Sequence, residues 1–201
     1  MRAFLGVYDK TRISEFARAL QQLGWDLIAT SGTQRVLAKV GIESTHFSEW
    51  TGHAELLGGR VKTLHPAIHG GLLYRRGVPQ DEAEIEQYGC VPIDLVAAGF
   101  YPFDQLARDV TATPTTVIEN IDVGGPAMIR AAAKNYRWVV PIIDPLDYDV
   151  VVDALRTTDG APDGVDQQLR RWLAEKVFEH TARYDQSIAT YLRNLSEREA
   201  K

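Results

Sequence analysis

The run from Gly59 to Gly71, GRVKTLHPAIHGG, sets Arg60, Lys62, His65 and His69 between glycines. Residues of these types suit the grip of an anion: glycine lets backbone approach a ligand, arginine brings a fixed fork of donors, and lysine brings a charge that burial can tune. A solvated surface turn would have the same composition. A second segment, ENIDVGGP, puts Asp122 just before a Gly-Gly-Pro helix entry, and Lys134 follows it after Ala131 to Ala133. An acid at a helix start and a lysine at a helix end usually serve the helix. A lysine desolvated among small residues would instead have a lowered pKa and be fit for proton transfer. A third segment, Thr30-Ser31-Gly32-Thr33, offers hydroxyls and helix-opening N–H groups to a phosphate, although the same residues also make a plain N-cap. His65 and His69 could share a metal on a helix, but Pro66 and the flanking glycines argue against a regular helix there, and no third ligand follows. Local hydrogen bonding is therefore expected of them, and no metal site.

The elements that must position these groups read as alternating strands and helices, the pattern of a parallel sheet covered on both faces. Strands are predicted over 3–7, 25–29, 93–98 and 138–143, the last containing Pro141 and hence suited to an edge or a bulge. Helices are predicted from Ile13 to Leu23, closed by Gly24, from Val36 to Val40, closed by Gly41, and over Gly124 to Asn135 with Pro126 near its start. Residues Thr157 to Gly164 read as a polar, flexible link, and about 165–195 as one or two amphipathic helices docking on the domain or on a partner. In an open parallel sheet, ligands bind beyond the carboxyl ends of the strands. The loops that start there, Tyr8-Asp9-Lys10-Thr11, Thr30 to Thr33 and Gly99-Phe100-Tyr101-Pro102, are unusually polar.

With 201 residues, 45% hydrophobic and 24% charged, the chain suits one substantial core and a single domain over 1–201. A net charge of -5 argues against a general nucleic-acid binder. The one cysteine, Cys90, excludes an intrachain disulfide framework and suits a reducing compartment. There is neither a membrane-length apolar segment nor a secretory signal, so a cytoplasmic protein that contacts no membrane is expected.

Taken together, Asp9 to Thr11, TSGT, GGRVKTLHPAIHGG, Tyr101-Pro102-Phe103, IENIDVGGPAMIRAAAKN and HTARYDQSI resemble the IMP cyclohydrolase domain of the bifunctional AICAR transformylase/IMP cyclohydrolase family. The resemblance follows the family's order over nearly the whole chain. It implies a Rossmann-like, three-layer α/β/α fold with a mainly parallel sheet, similar to methylglyoxal synthase, plus C-terminal helices. It also implies closure of the purine ring in 5-formamidoimidazole-4-carboxamide ribotide (FAICAR) to give IMP, with no cofactor. The family's catalytic set falls on Lys62, Tyr101, Asp122 and Lys134, with Asp122 orienting Lys134 for proton transfer. Substrate-binding positions fall on Tyr8, Asp9, Lys10, Thr30, Ser31, Gly32, Thr33, Arg60, Val61, Thr63, Ala98, Gly99, Ile121, Gly124 and Gly125, the phosphate lying nearest the serine and threonine turn. A homodimer is implied. The larger transformylase domain has no counterpart in these residues, so a free-standing cyclohydrolase or an excised domain is expected, with a separate transformylase as a possible source of substrate.

Three positions depart from the family: Tyr8 where serine is common, Ser31 where glycine is, and Gly99 where asparagine often stands. They keep open a cyclohydrolase acting on a purine-like ribotide of specialised metabolism. Methylglyoxal synthase chemistry and a noncatalytic nucleotide-sensing module are the remaining alternatives, against which the RVKTLHP and RAAAKN runs and the four polar residues count.

Overall fold

The computed structural model describes residues 1–199. Over them run five strands, β1 (Arg2–Gly6), β2 (Asp26–Ala29), β3 (Thr45–His46), β4 (Leu95–Ala98) and β5 (Val140–Ile142). The helices are α1 (Ile13–Gln22), α2 (Ser31–Lys39), α3 (Phe47–Thr51), α4 (Pro66–Leu73), α5 (Pro79–Gln87), α6 (Phe103–Arg108), α7 (Pro114–Glu119), α8 (Gly124–Lys134), α9 (Tyr148–Arg156) and α10 (Gln167–Glu199). All strand pairs are parallel and the order is β3-β2-β1-β4-β5. The chain thus builds outward from β1 on one side and then resumes at β4 on the other. The crevice at that switch, between the carboxyl ends of β1 and β4, is where an open sheet admits ligands.

Alternation along each strand makes two cores. Ala3 and Leu5 face one way with Leu27, Ala97 and Ile142, covered by Phe16 and Leu20 of α1 and by Tyr148, Val151 and Leu155 of α9. Phe4, Ile28, Val96 and Ala98 face the other way, covered by Ile68 and Leu72 of α4, Met128, Ile129 and Ala132 of α8, and Val177 of α10. Both faces of the sheet are dry, which is why its strands read as near-continuous apolar runs. Pro141 pairs with Val96 in β5, an edge strand, where its missing N–H leaves no inner ladder bond unmade.

One expectation changes and another, left open between alternatives, is decided. Residues 157–164 are not a loose link: Trp25 Nε1 donates to Gly160 O at 2.9 Å, and a Cβ on Gly160, whose φ is +90°, would stand 2.5 Å from Leu23 O. The polar composition there reflects a tight, glycine-dependent turn packed against the start of β2. The C-terminal stretch is a single helix, α10, which lies against α8, β5 and α6 of its own chain. Among the described residues no helix is long and apolar enough to cross a membrane.

Candidate active site

A cleft of about 870 Å³ opens beyond the carboxyl ends of β1, β2 and β4. It is lined by Tyr8 and Lys10 after β1, Thr30, Ser31 and Gly32 after β2, and Gly99 and Tyr101 after β4. The loop through Arg60, Lys62 and Thr63 forms another wall, and Ile121, Asp122, Gly124 and Gly125 a further one. An open groove of about 920 Å³ lies at the opposite ends of the strands, against Arg2, Trp25 and Asp26, and gathers none of the residues singled out above.

The Thr30 to Thr33 segment is not a turn ahead of a helix starting at Val36; α2 begins at Ser31, with Thr30 in extended conformation as its N-cap residue. No side chain caps α2, so its first N–H groups and its dipole point at the cleft, as at an anion site. The Ser31 hydroxyl is held by a chain of polar groups. Ser48 N donates to His46 Nδ1 at 3.4 Å, which leaves the Nε2–H of His46 to donate to Ser31 Oγ at 2.9 Å. Ser31 in turn donates to Glu55 Oε1 at 3.1 Å, and Glu55 Oε2 lies 3.4 Å from Lys62 Nζ. The carboxylate of Glu55 therefore rests on a hydroxyl and an ammonium, the partners a phosphate would want. Beside them Lys10 Nζ donates to Val7 O and to Tyr8 O, and burial pushes its pKa down.

The glycines of the basic run divide into two kinds. Leu57, Gly58 and Gly59 have φ of 53°, 64° and 94° and make a tight turn closed by Leu56 N donating to Val61 O at 3.0 Å. A Cβ on Gly59 would stand 2.8 Å from Lys62 Cε, so a bare backbone there lets the lysine fold back over the turn. Gly70 and Gly71, by contrast, do not meet a ligand: their Cβ atoms would lie 2.9 Å from Cys90 Sγ and 2.2 Å from Val91 O. They sit in α4, a regular helix where none was expected, because Pro66 occupies its first turn and His65 Nδ1 accepts from Ala67 N at 3.1 Å as the cap. His65 Nε2 faces His53 Nδ1 at 3.2 Å, whereas both ring nitrogens of His69 are buried without a partner among the described residues. Among those residues no three metal-donating side chains converge.

Two bare glycine faces lock the walls together. A Cβ on Gly124 would meet Thr63 Oγ1 at 2.6 Å, and one on Gly125 would meet Asp122 Oδ2 at 2.8 Å and Phe100 Cδ1 at 3.1 Å. Asp122 Oδ1 accepts from Gly125 N at 2.9 Å, capping α8 from within the cleft. Burial pushes the Asp122 carboxyl up, against the pull of the Gly125 N–H, the Lys62 charge and the Gly124 N–H. Across the cleft the Tyr8 ring meets Tyr101 edge-on, 4.8 Å between centroids. Arg60 reaches Glu119 at 3.5 Å near the rim.

Five expected site residues do not line this cleft. Asp9 folds back onto Thr11 N at 2.9 Å, Thr33 is buried with its hydroxyl 3.4 Å from Val7 O, Val61 closes the glycine turn, and Ala98 lies in the core beneath. Lys134 is the last residue of α8 and is exposed rather than desolvated. Asp122 precedes the start of that helix, so at 1.5 Å per residue the two stand about 18 Å apart along its axis. Within one chain Asp122 does not orient Lys134. The RAAAKN run has a packing role instead: its alanines are buried and Asn135 Nδ2 donates to Leu72 O at 2.7 Å and Tyr74 O at 3.0 Å. Conversely, His46 and Glu55 carry no motif signal in the sequence, and only the fold sets them beside Ser31.

Residues 12–127 match the MGS-like domain model, and residues 132–201 match that of the AICARFT/IMPCHase bienzyme. The chain belongs to this MGS-like, AICARFT/IMPCHase family. It is 46% identical to the bifunctional purine biosynthesis protein PurH of Leuconostoc mesenteroides over 97% of its own length and 37% of that protein's. Against PurH of Chloroflexus aurantiacus it is 50% identical over 96% of its length and again 37% of the relative's. The chain thus spans little more than a third of these relatives. The crystal structure of ForH superposes with a TM-score of 0.87 at 42% identity, covering 96% of this chain and 98% of that one. The MGS-like fold expected from the resemblance is the fold observed, and its cleft is lined mostly by residues of the segment that the MGS-like model matches.

Proposed function

We propose that this family member is an IMP cyclohydrolase acting on FAICAR. The observation that carries the reading is the convergence of Lys62, Tyr101 and Asp122 on one cleft whose floor includes the uncapped N-terminus of α2. The ribotide phosphate lies on the α2 N–H groups and the Ser31 hydroxyl, with Lys10 beside it, displacing the Glu55 carboxylate. Arg60 and Thr63 flank the sugar, and Tyr101 with Tyr8 bounds the base. The carboxamide nitrogen bonds to the formyl carbon and gives up a proton, and the formyl oxygen takes one up as a hydroxyl. That hydroxyl then leaves as water with a proton from the formamido nitrogen. Lys62 stabilises the oxygen as charge develops, and Asp122, its carboxyl raised by burial, accepts the proton from nitrogen.

The proton-transfer role that the resemblance gives Lys134 requires a second copy of the chain, because its own cleft is about three helical turns away. A homodimer that brings Lys134 of one copy to the cleft of the other satisfies both. The decisive assay follows IMP formation from FAICAR by the purified wild type, by Lys62→Ala, by Lys134→Ala and by the two variants mixed. Turnover by the wild type, its loss in each variant and its partial return in the mixture are expected. A folded wild type that makes no IMP would refute the reaction; a monomeric mass at micromolar concentration, or no recovery on mixing, would refute the shared site. The Tyr8 ring, half-exposed over the base position, favours one second reading, a purine-like ribotide of altered base. It would show as turnover of such an analogue in preference to FAICAR.

A further inference from the structure

Tyr184 follows Asp122 by 62 residues, yet its hydroxyl oxygen accepts the Asp122 N–H at 2.8 Å. Its ring is 8% exposed and packs edge-on against Phe100 and Phe103, with centroids 5.1 Å and 6.2 Å away. One turn earlier on the same helix, His180 meets Phe100 at 5.3 Å. Phe100 is the residue before Tyr101, and it also closes over Gly125. A single side chain of α10 therefore touches two of the loops that deliver polar groups to the cleft, one through ring packing and the other through a hydrogen bond.

We infer that Tyr184 is a positioning residue for the ring closure: through it, α10 sets where the Asp122 carboxylate and the Tyr101 ring stand in the cleft. Asp122 lies between α7 and α8, so its N–H has no ladder partner and would be an orphaned, part-buried donor without the tyrosine. Leaving such a donor unmet is unfavourable enough to make the loop relax toward other partners. With the tyrosine in place the residue is held from both sides, its carboxylate by the Gly125 N–H and its own N–H by α10. The origin of the two parts agrees with this division of labour. Tyr101 and Asp122 fall within the segment matched by the MGS-like model, whereas Tyr184 falls in 132–201, matched by the bienzyme model. The helix that clamps the loops thus lies outside the segment that the MGS-like model matches.

The inference rests on the cyclohydrolase reading, and its test separates the two. Tyr184→Phe keeps the ring and removes only the hydroxyl. Val177→Ala trims a buried side chain of the same helix, about two turns before Tyr184. For both, kcat and KM on FAICAR, the thermal midpoint and hydrogen exchange at the Asp122 amide are measured beside the wild type. In Tyr184→Phe, kcat is expected to fall roughly ten- to a hundredfold with KM within about threefold, because misplacement rather than binding is affected. Val177→Ala should lose at least as much in thermal midpoint and keep its kcat. The Asp122 amide should exchange faster in Tyr184→Phe alone. A kcat within about twofold of wild type, or one that merely tracks stability across both variants, overturns the clamp. So does unchanged protection of the Asp122 amide, which is read whether or not any ribotide turns over; an inactive wild type counts against the proposed reaction only.

Discussion

Gly125→Ala tests the cleft at its tightest point. The Cβ it adds would lie 2.8 Å from Asp122 Oδ2, where ordinary contact begins at 3.4 Å, so about 0.6 Å must be found. The Phe100 ring, 3.1 Å from the same Cβ, blocks escape toward α10, because Tyr184 and His180 hold it from behind. The α8 backbone is ordinary helix at this position, so alanine meets no conformational penalty there and gains up to about 1 kcal/mol over glycine from the smaller loss of chain entropy. What gives way is the Asp122 carboxylate, which moves off the Gly125 N–H and away from the centre of the cleft. A misplacement of about 1 Å at a reacting group can lower a rate a hundredfold, so about 0.6 Å should lower kcat roughly tenfold or more while leaving KM nearly unchanged. Spectroscopic IMP formation and differential scanning calorimetry on the same preparations separate the two effects. The expected pairing is a thermal midpoint close to wild type with a crippled kcat. A variant with wild-type kcat would show that the position of Asp122 does not limit the chemistry.

Lys10→Met removes an ammonium beside the N-terminus of α2; KM for the ribotide is expected to rise about ten- to a hundredfold, the loss of one charge-assisted hydrogen bond, with kcat within about threefold, in steady-state assays. Asp122→Asn should uncouple activity from stability. Because burial raises the Asp122 carboxyl, the folded state binds that proton more tightly than the unfolded state, and ionisation above the raised pKa opposes folding. The variant should therefore melt no lower than wild type at neutral pH, the gap narrowing as pH falls through the raised value, while kcat drops about a hundredfold or more. A lower midpoint at neutral pH would mean that the cap to Gly125 outweighs the buried charge.

Much of this architecture is local chemistry and was legible in the chain. Short apolar runs placed β1, β2, β4 and β5 to within about two residues, because a strand buried on both faces leaves a continuous apolar run. Pro141 pointed to an edge position or a bulge for β5, and the sheet order decides for the edge. The two-residue β3, the single-turn and short helices between it and β4, and the start of α2 at Ser31 did not, since elements that short are set by packing rather than periodicity. Of the candidate site, Lys10, Ser31 and Tyr101 just past strand ends and Asp122 just ahead of α8 reached the cleft.

The sequence by itself determined which residue types are present and the order in which strands deliver them, and with it the family. Tertiary structure decided which glycines serve the cleft and which serve packing: Gly59 stands against Lys62 and Gly71 against Val91, and nothing in the string GRVKTLHPAIHGG separates them. It also removed Lys134 from its own cleft, set Glu55 and His46 on Ser31, and bound Asp122 to Tyr184 across 62 residues. These are distances between segments remote in sequence. Only the closure of the whole chain around its two cores fixes them, whereas spacing within a motif fixes no more than which face of one element a residue shares.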